Sequence, residues 1–375
     1  MAVAAVLLFV ELWSVVPAPI LPLLALAVVV PELAPWGLLA CGLVAAFVWA
    51  LARGRSRAAA LTLCAFATAC SLVPLAEVRA TVAAADREMG RVASPPALGS
   101  AGRPFDPLIS FVGYGAAAGV RVRRDIPIAL RDGTPSAVDL YRPAASGPHP
   151  TLVVIYGGAW RFGSRGDSSE MARAFAARGY TVIAIDYRHA PAHRFPTQLE
   201  DVRDALTAIG REARAWDVDP QRVALLGRSA GAELALLAAY TPAPLRVRAA
   251  VGYYTPANLV RGYREPPRPD PADVRDILRA YLGGTPEQRM SAYVAASPLS
   301  HVRRGLPPTL LIAGGRDELV SLDFQHELRA ALMANGVPVV ALDLPWSNHA
   351  FDVVANGVGG QLARYYTQRF LHAFL

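Results

Sequence analysis

The sequence predicts an α/β fold, with a mostly parallel, doubly wound sheet and helices on both faces, preceded by a transmembrane helical region. Two observations carry this prediction. Over roughly the last 270 residues, short apolar runs of strand length alternate with longer helical segments, as in a parallel sheet covered on both sides. The first 76 residues, in contrast, contain only five charged side chains and are otherwise dominated by Ala, Val, Leu and Pro.

The apolar front contains segments of membrane-spanning length. Residues 36–52 and 58–76 are uncharged runs of 17 and 19 residues, close to the roughly 20 that a spanning helix needs. Residues 1–30 contain Glu11 and three prolines, so they form one kinked span or two short helices, and one kinked span is preferred. A cleaved signal peptide is disfavoured because no Arg precedes residue 53 and apolar character resumes twice afterwards. The expected organisation is a membrane region over 1–80 with about three transmembrane helices, a linker over 81–104 and an α/β domain over 105–375.

The arginines predict how these spans are oriented. Arg53, Arg55 and Arg57 lie in the very short loop between the two clearest spans, and the positive-inside tendency favours a cytoplasmic position for that loop. The expected protein is therefore a multi-pass protein of the cell membrane whose C-terminal domain is extracytoplasmic. Arginines after the last span weigh against this orientation; they are Arg79, Arg87 and Arg91.

Composition excludes several classes of function. All 37 basic residues are Arg, and they are spread along the chain without a basic run, so nucleic-acid binding is not expected. The absence of Lys excludes a P-loop lysine, a Schiff base and a Ser-Lys dyad. The three cysteines all lie in the apolar segments, which leaves no thiolate site or disulfide framework in the rest of the chain.

No metal or cofactor is expected. Pro191 separates His189 from His193, so these two side chains do not share one helix face as a zinc pair would. The sequence His326-Glu327 begins a His-Glu-x-x-His pattern but has Ala330 in the place of the second His.

Strand-like and helix-like segments alternate after residue 105. Apolar, β-branched runs predict strands at 120–130, 137–141, 151–155, 180–185, 222–226, 247–252, 309–313 and 339–344. Segments with helical periodicity predict helices at 168–178, 198–215, 230–240, 274–282, 323–335 and 360–374. Asp132-Gly133 is a hairpin signal between the first two strands, which are therefore expected to be antiparallel. The Pro-rich stretch 253–302 is expected to cap a pocket.

One strand-turn-helix unit contains the sequence Gly227-Arg228-Ser229-Ala230-Gly231. A serine on so tight a turn needs small neighbours that let the backbone turn and the helix pack closely. Its Oγ then points outward. The amide of Ala230 lies at the helix N-terminus, where free N–H groups favour a developing negative charge. Ser229 is thus the candidate nucleophile and Ala230 a candidate oxyanion donor.

Two polar turns after later strands supply partners for this serine. Asp317 follows the strand at 309–313, and His349 follows the strand at 339–344. Both turns lie where parallel sheets place their ligand sites. Since the chain has no Lys, the base for Ser229 must be a histidine; Asp317 would orient that histidine and stabilise its charged form.

A glycine-rich turn follows the strand at 151–155. Gly157, Gly158 and Ala159 are the candidates for the remaining oxyanion-hole amides, because glycines let the backbone approach a substrate carbonyl.

These motifs together resemble the α/β-hydrolase superfamily, specifically the esterase/lipase group that includes hormone-sensitive-lipase-like and bacterial feruloyl-esterase-like members. The resemblance covers about residues 120–375 and rests on Tyr156-Gly157-Gly158-Ala159-Trp160, Asp186-Tyr187-Arg188-His189-Ala190-Pro191, Gly227-Arg228-Ser229-Ala230-Gly231, Gly315-Arg316-Asp317 and Asn348-His349-Ala350-Phe351. It implies a Ser229–Asp317–His349 triad, with Gly158, Ala159 and Ala230 as the oxyanion donors. Tyr156 replaces the histidine usual in the oxyanion loop. Arg228 replaces an Asp common in the hormone-sensitive-lipase-like group, which favours the feruloyl-esterase-like side.

The expected function is a membrane-anchored serine hydrolase that cleaves carboxylic esters through an acyl-enzyme, without metal or cofactor. Its substrate would be a small-molecule or lipid ester. One alternative is an amidase or peptidase with the same triad. Another is a non-catalytic, membrane-tethered binding module, against which the intact triad argues. The sequence does not indicate an oligomeric state.

Overall fold

An eight-stranded sheet forms the centre of the protein. The computed structural model describes residues 1–92, 102–115 and 117–375. The strands are β1 Arg121–Ala129, β2 Pro135–Arg142, β3 His149–Ile155, β4 Thr181–Ile185, β5 Val218–Arg228, β6 Val247–Tyr253, β7 Thr309–Gly314 and β8 Val339–Leu344. They lie in the order β1-β2-β4-β3-β5-β6-β7-β8, and only the pairs β1/β2 and β2/β4 are antiparallel. The mostly parallel sheet predicted from the sequence is confirmed.

The turn predicted between the first two strands is present. Gly133 has a φ of 81°, and the carboxylate of Asp132 accepts a hydrogen bond from the amide of Thr134 at 2.9 Å. A short side chain that bonds its own backbone and a glycine in the left-handed region are the usual means of closing such a hairpin.

Four helices precede residue 93. They are α1 Ala2–Glu11, α2 Leu21–Glu32, α3 Ala34–Leu51 and α4 Gly54–Val92. Over residues 1–30 the structure has two helices and not one kinked helix, because Pro17 and Pro19 cannot donate backbone hydrogen bonds and the helix restarts only at Leu21. By length and composition, α3 and α4 are long and apolar enough to cross a membrane. The number of crossings stays a prediction.

The helix α4 extends far beyond its apolar part and packs on the α/β domain. Val78, Ala85 and Met89 are buried in the cluster that also contains inner side chains of β8. The hydroxyl of Tyr366 donates to the carbonyl of Val82 at 3.1 Å. The linker expected over 81–104 is therefore helical as far as Val92, and its residues 93–101 lie outside the described part of the chain.

Nine helices are described after residue 101. They are α5 Pro107–Val112, α6 Ser169–Ala176, α7 Thr197–Arg211, α8 Ala230–Tyr240, α9 Leu259–Arg264, α10 Val274–Leu282, α11 Pro286–Ala295, α12 Leu322–Ala334 and α13 Val358–Phe374. Side chains on β3 show how they cover the sheet, since neighbours along a strand point to opposite faces. Leu152 and Val154 pack with α4, α6 and α13, whereas Val153 and Ile155 pack with α7 and α8. The doubly wound arrangement is therefore confirmed.

The Pro-rich stretch between β6 and β7 folds into the three short helices α9, α10 and α11. Only α10 was predicted, and in the structure Asp273 caps its first turn by accepting from the amide of Asp276 at 3.0 Å. Leu278, Tyr281 and Leu282 are its buried residues and pack against the α/β core. The insertion therefore covers one end of the sheet, above the carboxyl ends of the parallel strands.

Candidate active site

Ser229 lies on the sharp turn between β5 and α8. Its φ is 52°, a backbone conformation that a residue with a side chain rarely adopts. The two glycines of the motif make room for this turn. A Cβ on Gly227 would lie 2.0 Å from the carbonyl oxygen of Gly231, and a Cβ on Gly231 would lie 2.2 Å from that of Tyr156. The small residues predicted around this serine are therefore sterically required.

The structure brings the three predicted triad residues into one hydrogen-bonded chain. His349 Nε2 lies 2.9 Å from Ser229 Oγ, and His349 Nδ1 lies 2.8 Å from Asp317 Oδ2. The other carboxylate oxygen of Asp317 accepts the amides of Leu319 and Val320, both at 2.8 Å. These bonds hold the carboxylate in the position from which it orients the imidazole.

Two other acidic residues near His349 in the sequence are engaged elsewhere. Asp343 bonds Gln325 at 2.6 Å and His326 at 2.8 Å, on the α12 side of the sheet. Asp352 pairs with Arg228 at 3.2 Å and accepts a hydrogen bond from the hydroxyl of Tyr254. Among the described carboxylates, Asp317 is therefore the one bonded to His349.

The predicted oxyanion residues lie around Ser229. Gly157, Gly158 and Ala159 line the same cleft as Ser229, and Ala230 begins α8, so its amide is one of the helix's unpaired N-terminal donors. Ala159 has a φ of 52°, and Gly158 has a φ of 132°, where a Cβ would meet the carbonyl oxygen of Phe162 at 2.0 Å. The loop that follows β3 is therefore a tight, strained turn beside Ser229.

Tyr156, which replaces the usual histidine of this loop, points away from the nucleophile. Its hydroxyl lies 2.8 Å from His189 Nε2 and donates to the carbonyl of Tyr187 at 3.2 Å. Its ring stacks on Tyr187 at a centroid distance of 4.5 Å. Tyr156 is thus a buried support of the loop after β3.

A second support is a carboxyl group that the sequence analysis missed. Glu233 lies on α8 with no exposed surface and accepts hydrogen bonds from the indole of Trp160 and the hydroxyl of Tyr281, both at 3.1 Å. Burial raises its pKa well above the usual range, and the two hydrogen bonds offset this only in part. Trp160 follows Ala159, so Glu233 ties the oxyanion loop to α8 and α10. A single carboxylate within an otherwise Ala/Leu-rich helical segment was the sequence signal that could have identified Glu233.

The loop that carries His349 is held by further buried polar groups. Asn348 accepts the amide of Glu318 at 3.2 Å and donates to its carboxylate at 3.1 Å. Glu318 also accepts the amide of Ala18 at 2.9 Å, although Ala18 lies 300 residues earlier in the chain. The loops that carry Asp317 and His349 are thus bonded to each other and to the N-terminal segment.

Two clefts meet at Ser229 and His349. One is narrow and runs beneath the insertion, with Leu259, Val274 and Leu278 among its apolar walls. The other has an empty volume of about 1370 Å³ that opens to solvent, and Leu21 of α2 contributes to its wall. A compound bound at Ser229 therefore has space on both sides of the reacting atom.

Comparison with known proteins places these features in one family. The BD-FAE family profile matches residues 138–332. The chain is 32% identical over 228 residues to the probable carboxylic ester hydrolase LipM of Mycobacterium tuberculosis, covering 56% of this chain and 51% of that protein. It is 31% identical to the esterase LipC of the same organism, covering 58% and 56%. The chain thus spans about half the length of these curated relatives.

Solved structures show the same architecture. An esterase from Pyrobaculum calidifontis superposes with a TM-score of 0.58 at 28% identity, covering 67% of this chain and 86% of that one. A bacterial heroin esterase superposes with a TM-score of 0.59 at 25% identity, covering 71% and 86%. The fold is therefore the α/β-hydrolase fold that the sequence predicted.

Proposed function

Because the chain belongs to the BD-FAE family of α/β-hydrolases, we propose that it is a serine hydrolase that cleaves carboxylic esters through an acyl-enzyme intermediate. The observation that carries this proposal is the hydrogen-bonded chain from Ser229 through His349 to Asp317. The names of the relatives, which are esterases and a carboxylic ester hydrolase, support the same reaction.

Each residue has a defined part in the proposed reaction. His349 Nε2 takes the proton of Ser229 Oγ as that oxygen attacks the ester carbonyl. The negative charge that develops on the carbonyl oxygen is stabilised by amides of the Gly158-Ala159 turn and of Ala230. His349 then returns the proton to the departing alcohol. Water, activated by the same histidine, hydrolyses the acyl-enzyme and restores Ser229.

Amide cleavage with the same triad is the second candidate reaction. It would require His349 to protonate a poorer leaving group, and the apolar walls of the cleft beneath the insertion add nothing that favours an amide. A non-catalytic binding module would have no need for a serine held at a φ of 52° beside a histidine and a carboxylate aligned on that histidine, because this combination is the one that a nucleophile turn requires. Ester hydrolysis is therefore the better-supported function.

The proposed enzyme is anchored in the cell membrane through its N-terminal helices. The lengths and composition of α3 and α4 support anchoring, and Arg53, Arg55 and Arg57 between them favour a cytoplasmic loop and an extracytoplasmic hydrolase domain. A membrane-impermeant protease added to intact spheroplasts should digest that domain. Full protection until the membrane is lysed would reverse the orientation.

The reaction is tested on the full chain in detergent. Purified protein is treated with a fluorophosphonate probe and assayed with p-nitrophenyl acetate and with the matching anilide. We expect labelling at Ser229 and faster turnover of the ester than of the amide. Ser229→Ala should abolish both labelling and turnover, whereas Ser300→Ala, at an exposed serine far from the site, should change neither. A folded protein that neither labels nor hydrolyses would refute the proposal.

A further inference from the structure

The N-terminal segment forms part of the active-site cleft. Leu21, the first residue of α2, lines the open cleft together with Ser229, His349 and Gly158. We infer that the substrate is an uncharged lipid ester, taken directly from the bilayer that holds α3 and α4. This inference rests on the proposed esterase activity.

The position of α2 against the hydrolase domain is fixed by buried contacts. Ala18 donates its amide to Glu318 at 2.9 Å just before the helix starts, and the carboxylate of Glu32 accepts from Ser347 at 2.6 Å where it ends. Between these anchors, Leu24, Ala27 and Val28 are buried in an apolar cluster, against which Leu319 and Ala350 pack from the catalytic loops. The helix therefore lies on the hydrolase domain and is anchored at both of its ends.

The adjoining helices indicate where the membrane surface lies. Trp36, near the start of α3, is 44% exposed and donates its indole N–H to the carbonyl of Ser110 in α5 at 2.9 Å. Tryptophan is enriched at the boundary between hydrocarbon and water. The short helix α5, whose Phe111 packs edge-on against Trp36, also exposes Leu108 and Val112, by 63% and 70%. Since only Leu33 separates the end of α2 from α3, the inferred membrane surface passes close to α2, whose first residue borders the cleft.

The rim of the cleft is apolar and exposed. Leu21, Phe162 and Val353 line the cleft and are 56%, 64% and 56% exposed, and Ile20 beside Leu21 is 53% exposed. Large apolar side chains grouped at the mouth of a site mark a surface that another apolar phase covers. Because Leu21 begins the helix that leads directly into α3, the inferred phase is the bilayer, from which an acyl chain would enter the cleft at this rim.

The charges of the cleft favour an uncharged lipid. Arg161 is paired with Asp276 at 2.7 Å, and Arg228 is paired with Asp352 at 3.2 Å. The carboxylate of Asp167 accepts hydrogen bonds from the amide and the hydroxyl of Ser164, at 3.1 and 3.2 Å. Each charged side chain that lines the described cleft thus already has a partner within the protein. An anionic headgroup would find no unengaged cation, whereas an acylglycerol requires none.

The inference is tested with the full chain reconstituted in phosphatidylcholine vesicles. Turnover of dioleoylglycerol held in the vesicles is divided by turnover of p-nitrophenyl acetate in solution. Leu21→Asp should lower this ratio about tenfold or more, since a carboxylate replaces one apolar wall of the lipid's path. Met333→Asp is the matched control, because Met333 is an equally exposed apolar residue on α12 remote from the rim. We expect it to leave the ratio unchanged.

The possible outcomes separate this inference from the proposed function. If p-nitrophenyl acetate is not hydrolysed and Ser229 is not labelled, the esterase proposal fails. If both occur but dioleoylglycerol in vesicles is not cleaved, or if Leu21→Asp and Met333→Asp change the ratio equally, the lipid inference is refuted. Preferential cleavage of the phosphatidylcholine itself would also refute the assignment to uncharged lipids.

Discussion

Glu32 Oε1 accepts a hydrogen bond from Ser347 Oγ at 2.6 Å, which joins the end of α2 to the loop of His349 across 315 positions of sequence. The other oxygen of Glu32 accepts the amide of Gly359 at the start of α13. The carboxyl group has no exposed surface. The loop that carries His349 is therefore built on the N-terminal region as well as on the sheet.

This buried carboxyl group predicts a pH-dependent stability. Burial raises the pKa of Glu32 from 4.5 to about 7, against the hydrogen bonds from Ser347, Gly359 and Gly360, and the negative charge of Asp352 adds to the rise. Between these two pH values the folded protein keeps a proton that the unfolded chain has lost. The free energy of unfolding should therefore fall by roughly 3 kcal/mol as pH rises from 4.5 to about 7. Outside this range Glu32 makes no further contribution to the pH dependence.

Replacing Glu32 with Gln should remove that dependence, because the amide does not ionise. Its single oxygen can still accept from the amide of Gly359, and its NH2 group can donate to Ser347 Oγ. Thermal unfolding in detergent should show the variant gaining stability relative to the parent protein between pH 5 and pH 8. Glu77→Gln, at an exposed carboxylate, is the control. Parallel pH profiles for the parent and Glu32→Gln would contradict the prediction.

A second prediction concerns the part of α4 that follows its apolar segment. Met89 is 1% exposed and belongs to the main core cluster, so Met89→Ala should lower the free energy of unfolding by about 2–4 kcal/mol. Met333→Ala, at a half-exposed methionine, should change it by less than about 0.5 kcal/mol. Equal melting temperatures for the two variants would mean that α4 contributes no packing to the domain.

Asp317→Asn should lower kcat/KM for p-nitrophenyl acetate by about a thousandfold or more, because the amide no longer holds His349 in the required tautomer or stabilises its charged form. Asp343→Asn should have little effect, since Asp343 bonds Gln325 and His326 on the far side of β8. An inactive Asp343→Asn beside an active Asp317→Asn would reassign the acidic member of the triad.

Tyr156→Phe should lower kcat by about tenfold or less, the scale of one hydrogen bond, because its hydroxyl bonds His189 and Tyr187 and not the reacting atoms. The oxyanion amides stay in place on Gly158 and Ala159. Steady-state kinetics of Tyr156→Phe and Ser229→Ala, measured side by side, test this. A loss of kcat as large as that of Ser229→Ala would mean that the tyrosine hydroxyl acts in the transition state.

The sequence was sufficient for the sheet and for the grouping of Ser229, Asp317 and His349, since each follows an apolar strand and parallel strands bring their carboxyl ends together. It was not sufficient for Glu32 or Glu233. Their partners, Ser347 and Tyr281, lie 315 and 48 residues away, and no local periodicity encodes such a pairing. For residues 1–30 the sequence left one kinked span and two short helices open, and the structure has two helices, because hydrophobicity alone does not set where a helix is interrupted.

In the proposed membrane anchor, the helix α4 runs for 39 residues, with Pro74 within it, from the bilayer into the core of the hydrolase domain. A domain packed on a spanning helix of this kind is held close to the lipid surface, so its cleft stays near one height above the lipid. Encounters with an ester in the same leaflet then occur by lateral diffusion in two dimensions. Catalytic speed would follow the mole fraction of ester in the surface, and adding inert phospholipid would slow the enzyme even when the amount of ester per millilitre stays constant.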